Sequence, residues 1–307
     1  MRAFSFNLSD FVFVWWGLLY EALPFLALGA LLSGIVERCV SRETVARFFP
    51  RNRWLGIGAS ALLGLLFPMC ECGVVPVVRR LLLKGVPVSC GIAYLLASPI
   101  INPLVIASTV LAFRNTGGWA VAGLRVAGGF VVAVLVSVAV WRLLGEKNVL
   151  RNSTDNQSEN NHGHRGGVVR DILSIAAGDF MLIGATLVVG GAIAALINSG
   201  FSRAAMEPFA NNPLTAVSGM MGLAVALNLC SEADAFVAAS FYAFPLAAKL
   251  AFLVLGPMLD VKLMLMYSTV FKPRAIMVIS GSVALLVFVF GVTGYAWIPV
   301  LLGSGGQ

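Results

Sequence analysis

The sequence predicts an all-α polytopic membrane protein with about eight to ten transmembrane segments, arranged as two inverted-topology repeats with broken or re-entrant helices at the midplane. Three observations predict it. Of 307 residues, 59% are apolar and only 11% charged, whereas soluble domains run near half apolar and about a quarter charged. Mean hydropathy is +0.91. Apolar stretches of bilayer-spanning length recur along the whole chain. The shortage of charge excludes a soluble enzyme, a disordered chain and a nucleic-acid-binding domain. The net charge of +7 does not reverse this, because Lys and Arg lie scattered between apolar stretches, where membrane topology uses them.

The apolar runs 11–36, 88–113, 119–141, 172–198, 246–271 and 275–302 each reach across a hydrocarbon core of about 30 Å at about 1.5 Å per residue. Two shorter pairs, 54–69 with 73–84 and 214–229 with 235–244, are marginal for crossing. They are expected as re-entrant or broken helices. The first ten residues lack the basic start of a signal peptide, so run 11–36 is expected as a retained span. Residues 146–170 form the long polar segment, rich in Asn, Ser, Gly and both signs of charge. It reads as a flexible linker. The chain is thus expected to divide into a first transmembrane repeat at 1–145, the linker at 146–170 and a second repeat at 171–307.

Spaced matches carry the repeat. Pro87, Pro99 and Asn102 recur as Pro245, Pro257 and Asp260, each 158 residues on. Asn52 and Cys70 recur as Asn212 and Cys230, 160 residues on, and Phe25 and Gly29 as Phe180 and Gly184, 155 residues on. Each half reads as span, short pair, Pro-containing span, span. Whether or not the short pair crosses, the number of crossings per half is odd, so the second half is inverted. Loop charge sets the orientation. Arg38, Arg42, Arg47, Arg51 and Arg53 fill 37–53, while Lys147, Arg151, Arg165 and Arg170 lie in the linker and Lys272 and Arg274 in the last turn. The opposite segments hold little more than Arg114 and Arg203. The positive-inside rule puts the linker in the cytoplasm and both termini outside.

Candidate chemistry lies where the pattern breaks. The first apex is Pro68-Met69-Cys70-Glu71-Cys72-Gly73, closed by Pro76. Pro and Gly free backbone groups there, and two thiols with a carboxylate can converge on one ligand; thiolate suits soft ions and zinc. The matching apex is Asn228-Leu229-Cys230-Ser231-Glu232-Ala233-Asp234. Acids buried in a membrane are costly and usually functional. An inverted repeat brings both apices to the midplane, assembling Cys70, Cys72, Cys230, Glu71, Glu232 and Asp234. Asn102 and Asp260 follow the Pro-broken segments of runs 88–113 and 246–271 and are expected to shape the path, with an Asp260–Lys262 ion pair as the plainer alternative. Glu21 and Asp179 suit a proton relay or pairing with Arg125 or Lys249. His162 and His164 read as solvated linker residues, and Cys39 and Cys90 as packing residues. No phosphate-loop motif, no H-E-x-x-H and no membrane His is present, so the chain is read as no enzyme and no cofactor is expected.

The run CECGVVPVVRRLLLKGVPVSCGIAYLLASPIINPLVI, Cys70–Ile106, resembles the signature of the ArsP-like (YraQ-like) predicted permeases, integral membrane proteins of bacteria and archaea. The resemblance extends over essentially the whole chain. It implies efflux of trivalent arsenic, organoarsenicals or other thiophilic metals by some members, with Cys70 and Cys72 as candidate metalloid ligands. Many relatives have Cys-Ser-Cys where this chain has Cys-Glu-Cys, which leaves room for a divalent metal.

The expected function is therefore a secondary transporter of the inner membrane, exporting a thiophilic metal or metalloid against a proton flux. Cys70, Cys72 and Cys230 are the expected metal ligands. Glu71, Glu232 and Asp234 would bind substrate or protons. Expected partners are the lipid bilayer, the small ion or metalloid, and a soluble metal- or thiol-carrier protein; nucleic acid is not. Two alternatives stay open: a channel or exchanger for another small solute with structural cysteines, and a redox or scaffold protein using Cys70 and Cys72. A reporter fused within 151–166 should report cytoplasm, and one placed after Gly303 should report the outside; two reporters on one side would exclude inverted halves.

Overall fold

The computed structural model describes residues 8–39, 41, 53–66, 69–145, 149–150, 168–199 and 212–301. Most of the linker, with His162 and His164, lies outside the described residues, as do Pro68, Asn52, Arg42, Arg47, Arg51 and Arg203. Twelve α-helices are described: α1 (Leu8–Cys39), α2 (Arg53–Leu66), α3 (Glu71–Leu83), α4 (Val88–Ala97), α5 (Pro103–Ala112), α6 (Gly118–Leu144), α7 (Val168–Ser199), α8 (Pro213–Leu227), α9 (Asp234–Ser240), α10 (Leu246–Leu255), α11 (Val261–Tyr267) and α12 (Pro273–Leu301). Apart from an isolated bridge between Leu150 and Phe271, the described residues form helices and turns.

Four helices, α1, α6, α7 and α12, are long and apolar enough to cross a bilayer unaided. Their outer faces stay apolar: Phe13, Trp16 and Tyr20 on α1, Met181 and Val189 on α7, and Leu285 and Val289 on α12 are exposed. Hydrocarbon solvates such a face where water would not. The shorter helices fill the space between these four.

Runs 88–113 and 246–271 are not single helices. Each is interrupted at its proline, because Pro99 and Pro257 bring no N–H to the helical ladder. The two interruptions are built alike. The carbonyl of Ala97 accepts from Ile100 N at 3.0 Å and Ile101 N at 2.8 Å, and that of Leu255 from Met258 N at 2.9 Å and Leu259 N at 2.8 Å. The next helix is capped by a side chain in both cases: Asn102 accepts from Leu104 N at 2.9 Å, and Asp260 from Leu263 N at 2.6 Å. The Tyr267 hydroxyl donates to Met258 O at 3.3 Å, answering a carbonyl at the second interruption. The broken crossing α4–α5 lies antiparallel along α6, with Ile100 against Gly129 and Val110 against Gly118. Helix α10 is laid on α12 in the same way, with Ala251 at Gly291 and Ala247 at Gly294, whereas α11 lies on α7, with Lys262 at Gly190.

The first short pair begins and ends at one end of the bundle. The Lys84 ammonium, just past α3, donates to Glu37 O near the end of α1 at 2.6 Å. Arg38 faces Asp171 at the start of α7 at 4.0 Å. Arg53, opening α2, stacks on Trp141 near the end of α6, 4.9 Å from the ring centre. Lys272 N donates to Val149 O at 3.0 Å, bringing the last turn to the same end. Helix α3 therefore runs from the interior back to the end where α2 starts.

That end of α3 is fastened by buried charge. Asp179 accepts from Arg79 at 2.9 Å, from Arg80 at 2.8 Å through two nitrogens, and from the Ser33 hydroxyl. The expected pairing of Asp179 with Arg125 or Lys249 is thus replaced by a pair of arginines one turn from the end of α3. A carboxylate with four donors is neutralised at depth, where an isolated one would be very costly.

Helix α1 reaches α3 by a glycine contact. A Cβ at Gly29 would lie 2.7 Å from Gly73 Cα, with the Gly73 carbonyl nearer still, whereas one at Gly17 on the same helix meets nothing within 4 Å. Gly29→Val should therefore separate α1 from the Cys-Glu-Cys apex and lower the detergent-solubilised melting temperature, by an overpacking cost of about 1–3 kcal/mol or more. Gly17→Val is the control and should melt like the parent.

Candidate substrate site at the helix breaks

The two apices fold by the same local bonds. Cys70 O accepts from Gly73 N at 3.2 Å and Val74 N at 3.3 Å; Cys230 O accepts from Ala233 N at 3.0 Å and Asp234 N at 3.1 Å. The matching carbonyls open α3 and the turn into α9. Asn228 permits the second apex by ending α8 in the left-handed region, with φ of 52°. Asn is among the few residues that tolerate that region. Within α3, Pro76 leaves the Cys72 carbonyl without its i+4 donor.

The apices meet. The Cys70 thiol lies near those of Cys72 and Cys230. Ser231 Oγ donates to Glu71 Oε2 at 3.4 Å, and the Cys230 thiol lies 3.9 Å from the same oxygen. Cys230 also donates to Glu232 Oε2 at 2.8 Å. Cys70, Glu71 and Cys72 are buried, and Glu232 is half-buried. Glu21 of α1 lies near this group, within the field of Lys262, Glu71 and Glu232.

Two buried cations organise the acids. Lys262 Nζ lies 3.0 Å from Glu71 Oε1 and 3.5 Å from Asp260 Oδ2. The Asn228 amide, oriented by its surroundings, donates to both oxygens of Asp260. On the other side, Arg125 of α6 donates to Asp234 Oδ2 at 2.7 Å, to Thr109 Oγ1 at 2.8 Å and to Ser231 O at 3.2 Å. Each pair spans the halves, since Lys262 answers an acid of the first and Arg125 an acid of the second.

Of the residues singled out from sequence, the structure gathers Cys70, Glu71, Cys72, Cys230 and Glu232 directly. Asp260 joins through Lys262, and Asp234 through Arg125 and Ser231. Asn102 caps α5 at its own break, with its amide nitrogen buried and without a partner. None of the five cysteines is in a disulfide. Cys39 is exposed and Cys90 buried in α4. Among the described residues, no three His, Cys, Asp or Glu are arranged to hold a metal ion. Sequence reasoning passed over Lys262 and Arg125 as site residues, treating them only as partners. The signal was there: Arg125 is the lone cation of run 119–141, and Lys262 stands two residues from Asp260 inside run 246–271, where burial demands an acid.

A family model for predicted permeases, ArsP_1, matches residues 8–294. The chain belongs to this predicted permease family. It is 37% identical over 301 residues to the UPF0718 protein YcgR of Bacillus subtilis (strain 168), covering 98% of this chain and 97% of the relative. A Streptococcus mutans protein named as a two-component membrane permease complex subunit is 34% identical over 276 residues, covering 89% and 91%. The UPF0718 protein YraQ of Escherichia coli (strain K12) is 25% identical over 133 residues, covering 41% and 37%. No solved structure matches the chain. The permease is a multi-pass membrane protein by its family and its long apolar helices.

The Arg125–Asp234 pair yields a direct test. Truncating one partner leaves the other charge buried, at a cost of about 3–5 kcal/mol, while replacing both with apolar residues of similar size is often neutral. Arg125→Met and Asp234→Leu should each lower the melting temperature of this permease sharply. The double variant should recover most of the loss, a non-additivity read from the double-mutant cycle.

Proposed function

We propose that this permease exports a thiophilic metal or metalloid, or its organic derivative, coupled to the proton gradient. The observation that carries this reading is the meeting of the two cysteine-bearing breaks: Cys230 lies 3.9 Å from the carboxylate of Glu71, the residue between Cys70 and Cys72 in the chain. Three thiols from two helix breaks lie in one buried region, and thiolate prefers soft ions. Glu71 and Glu232, within reach of Cys230, are the proposed acceptors of substrate charge or protons. Asp234 and Asp260 would serve through their cations, and Asn102 would line the path.

The halves 1–145 and 171–307 are proposed as inverted repeats about the linker 146–170. Support comes from counterparts that meet: Ser231 donates to Glu71, 160 residues away, and Cys70 lies near Cys230 at the same spacing. Positions lying on a two-fold axis behave so. With the basic segments facing the cytoplasm, the linker is cytoplasmic and both termini lie outside the inner membrane. The Streptococcus mutans relative carries the name of a complex subunit, which suits a second component, such as a soluble carrier that delivers the cargo.

One observation favours a second reading, a channel or exchanger for another small solute. The site is knit by ion pairs, and no three donors stand ready for a metal among the described residues. Transport by everted vesicles separates the two. Cys70→Ser with Cys72→Ser keeps the size but removes soft-donor character, so uptake of arsenite, phenylarsenite or Cd²⁺ should fall at least about tenfold. Uptake and resistance equal to the parent would leave the cysteines as packing and favour the second reading.

A further inference from the structure

We propose that Lys262 is a tethered cation that occupies the carboxylates of the cargo site and competes with a cationic cargo for them. The inference rests on the reading of the thiol apex as a soft-cation site, and it names the residue that sets affinity there.

Three observations carry it. First, Lys262 stands between two structures that would otherwise hold unpaired acids at depth. Its ammonium is 3.0 Å from Glu71 at the apex and 3.5 Å from Asp260 at the broken crossing. Both acids and the lysine are buried. Second, the pair is not needed to build the break. The counterparts of Asp260 and Lys262 in the first half, 158 residues earlier, are Asn102 and Leu104. Asn102 caps its helix with a side-chain oxygen as Asp260 does. The second half therefore carries one carboxylate and one ammonium beyond what the local fold requires. Third, the other buried cation is committed elsewhere. Arg125 is bound by Asp234, Thr109 and Ser231 O, so Lys262 is the cation facing Glu71, Asp260 and, through Cys230, Glu232.

A charge held at this depth by a flexible four-carbon stem can leave without unfolding a helix. When it leaves Glu71, it uncovers a carboxylate beside Cys230, Cys72 and Ser231: oxygen and sulfur donors together, a set that suits a soft divalent cation. When the cation departs, Lys262 returns, and Glu71 is never left buried and unpaired. The lysine thus weakens binding and favours release, as a carrier needs. Gly190 holds it in place: a Cβ there would lie 2.8 Å from Lys262 Cα, so α7 fixes the backbone while the side chain moves.

The test uses the purified full-length chain in detergent with Cys39→Ser, which removes the exposed thiol. Two probes are titrated calorimetrically: Cd²⁺, a cation, and phenylarsine oxide, a neutral thiol reagent that does not compete with an ammonium. Lys262→Met should bind Cd²⁺ at least about tenfold more tightly than the parent, with phenylarsine oxide affinity unchanged. Lys262→Arg should stay within about threefold of the parent for both probes. Asp260→Asn with Lys262→Met keeps the parent's net charge without the competitor; it should still bind Cd²⁺ more tightly, and it serves if the single variant fails to fold. Cd²⁺ affinity unchanged or weakened in both methionine variants, with Cys70→Ser still abolishing it, would overturn the role of Lys262 and leave the thiol site intact. If Cys70→Ser leaves the parent's Cd²⁺ binding intact, or the parent binds no Cd²⁺, the thiol reading fails and this inference falls with it.

Discussion

Hydrocarbon offers no hydrogen bonds, so every interruption of a helix within the membrane has to be satisfied by protein. The rest of this structure follows from that constraint. The breaks at Pro99 and Pro257 are closed by paired amides on Ala97 O and Leu255 O and by the caps of Asn102 and Asp260. The apices are closed by the carbonyls of Cys70 and Cys230. Side chains complete what backbone does not, and those side chains carry charge. Once Glu71, Asp234 and Asp260 sit at such breaks, Lys262 and Arg125 are required beside them, because an unpaired buried charge costs several kcal/mol. The polar core is thus a consequence of breaking helices at depth, and it is the place where a polar cargo could be bound.

Repetition makes the breaks alike, but their charges differ. The bonds at 97–101 and 255–259 match position for position. The residues that follow do not: Asn102 stands at the position of Asp260, and Leu104 at that of Lys262. On one side of the centre, Arg125 makes three bonds, to Asp234, Thr109 and Ser231 O. On the other, Lys262 is shared between two acids at 3.0 and 3.5 Å, beside thiols. Breaks built alike thus carry unlike charge, a lysine shared by two acids on one side and an arginine with three partners on the other. An arginine with several partners is a poor candidate for movement, and a lysine shared by two acids is a good one.

Much of the fold was legible because hydropathy and proline report on local structure. The long runs became α1, α6, α7 and α12, and the interrupted runs broke where Pro99 and Pro257 stand. The recurrence of Pro87 and Asn102 as Pro245 and Asp260 marked helix starts in both halves. The meeting of the apices was legible too, from thiols and acids at matched turns. What the sequence withheld was the pairing of charges. Asp179 pairs with Arg79 and Arg80, 100 and 99 residues away, and Asp234 with Arg125, 109 residues away. Which cation answers which acid depends on how α1, α3, α6 and α7 cross, and one-dimensional spacing does not encode crossing geometry.

Helix α3 joins the site to one end of the bundle, and its two ends are held with different strength. Glu71 opens its first turn against Lys262, while Arg79 and Arg80 near its other end are bound by Asp179. Releasing the far end would strip a buried carboxylate of its arginine donors, at a cost of several kcal/mol. Pro76 stands between the two ends. At that position one helical bond is already missing, so bending there breaks nothing further. The proline in the Cys-Glu-Cys segment thus does two things at once. It leaves the Cys72 carbonyl without its helical donor, and it sets the gap in the ladder between the turn that carries Glu71 and Cys72 and the end that Asp179 closes.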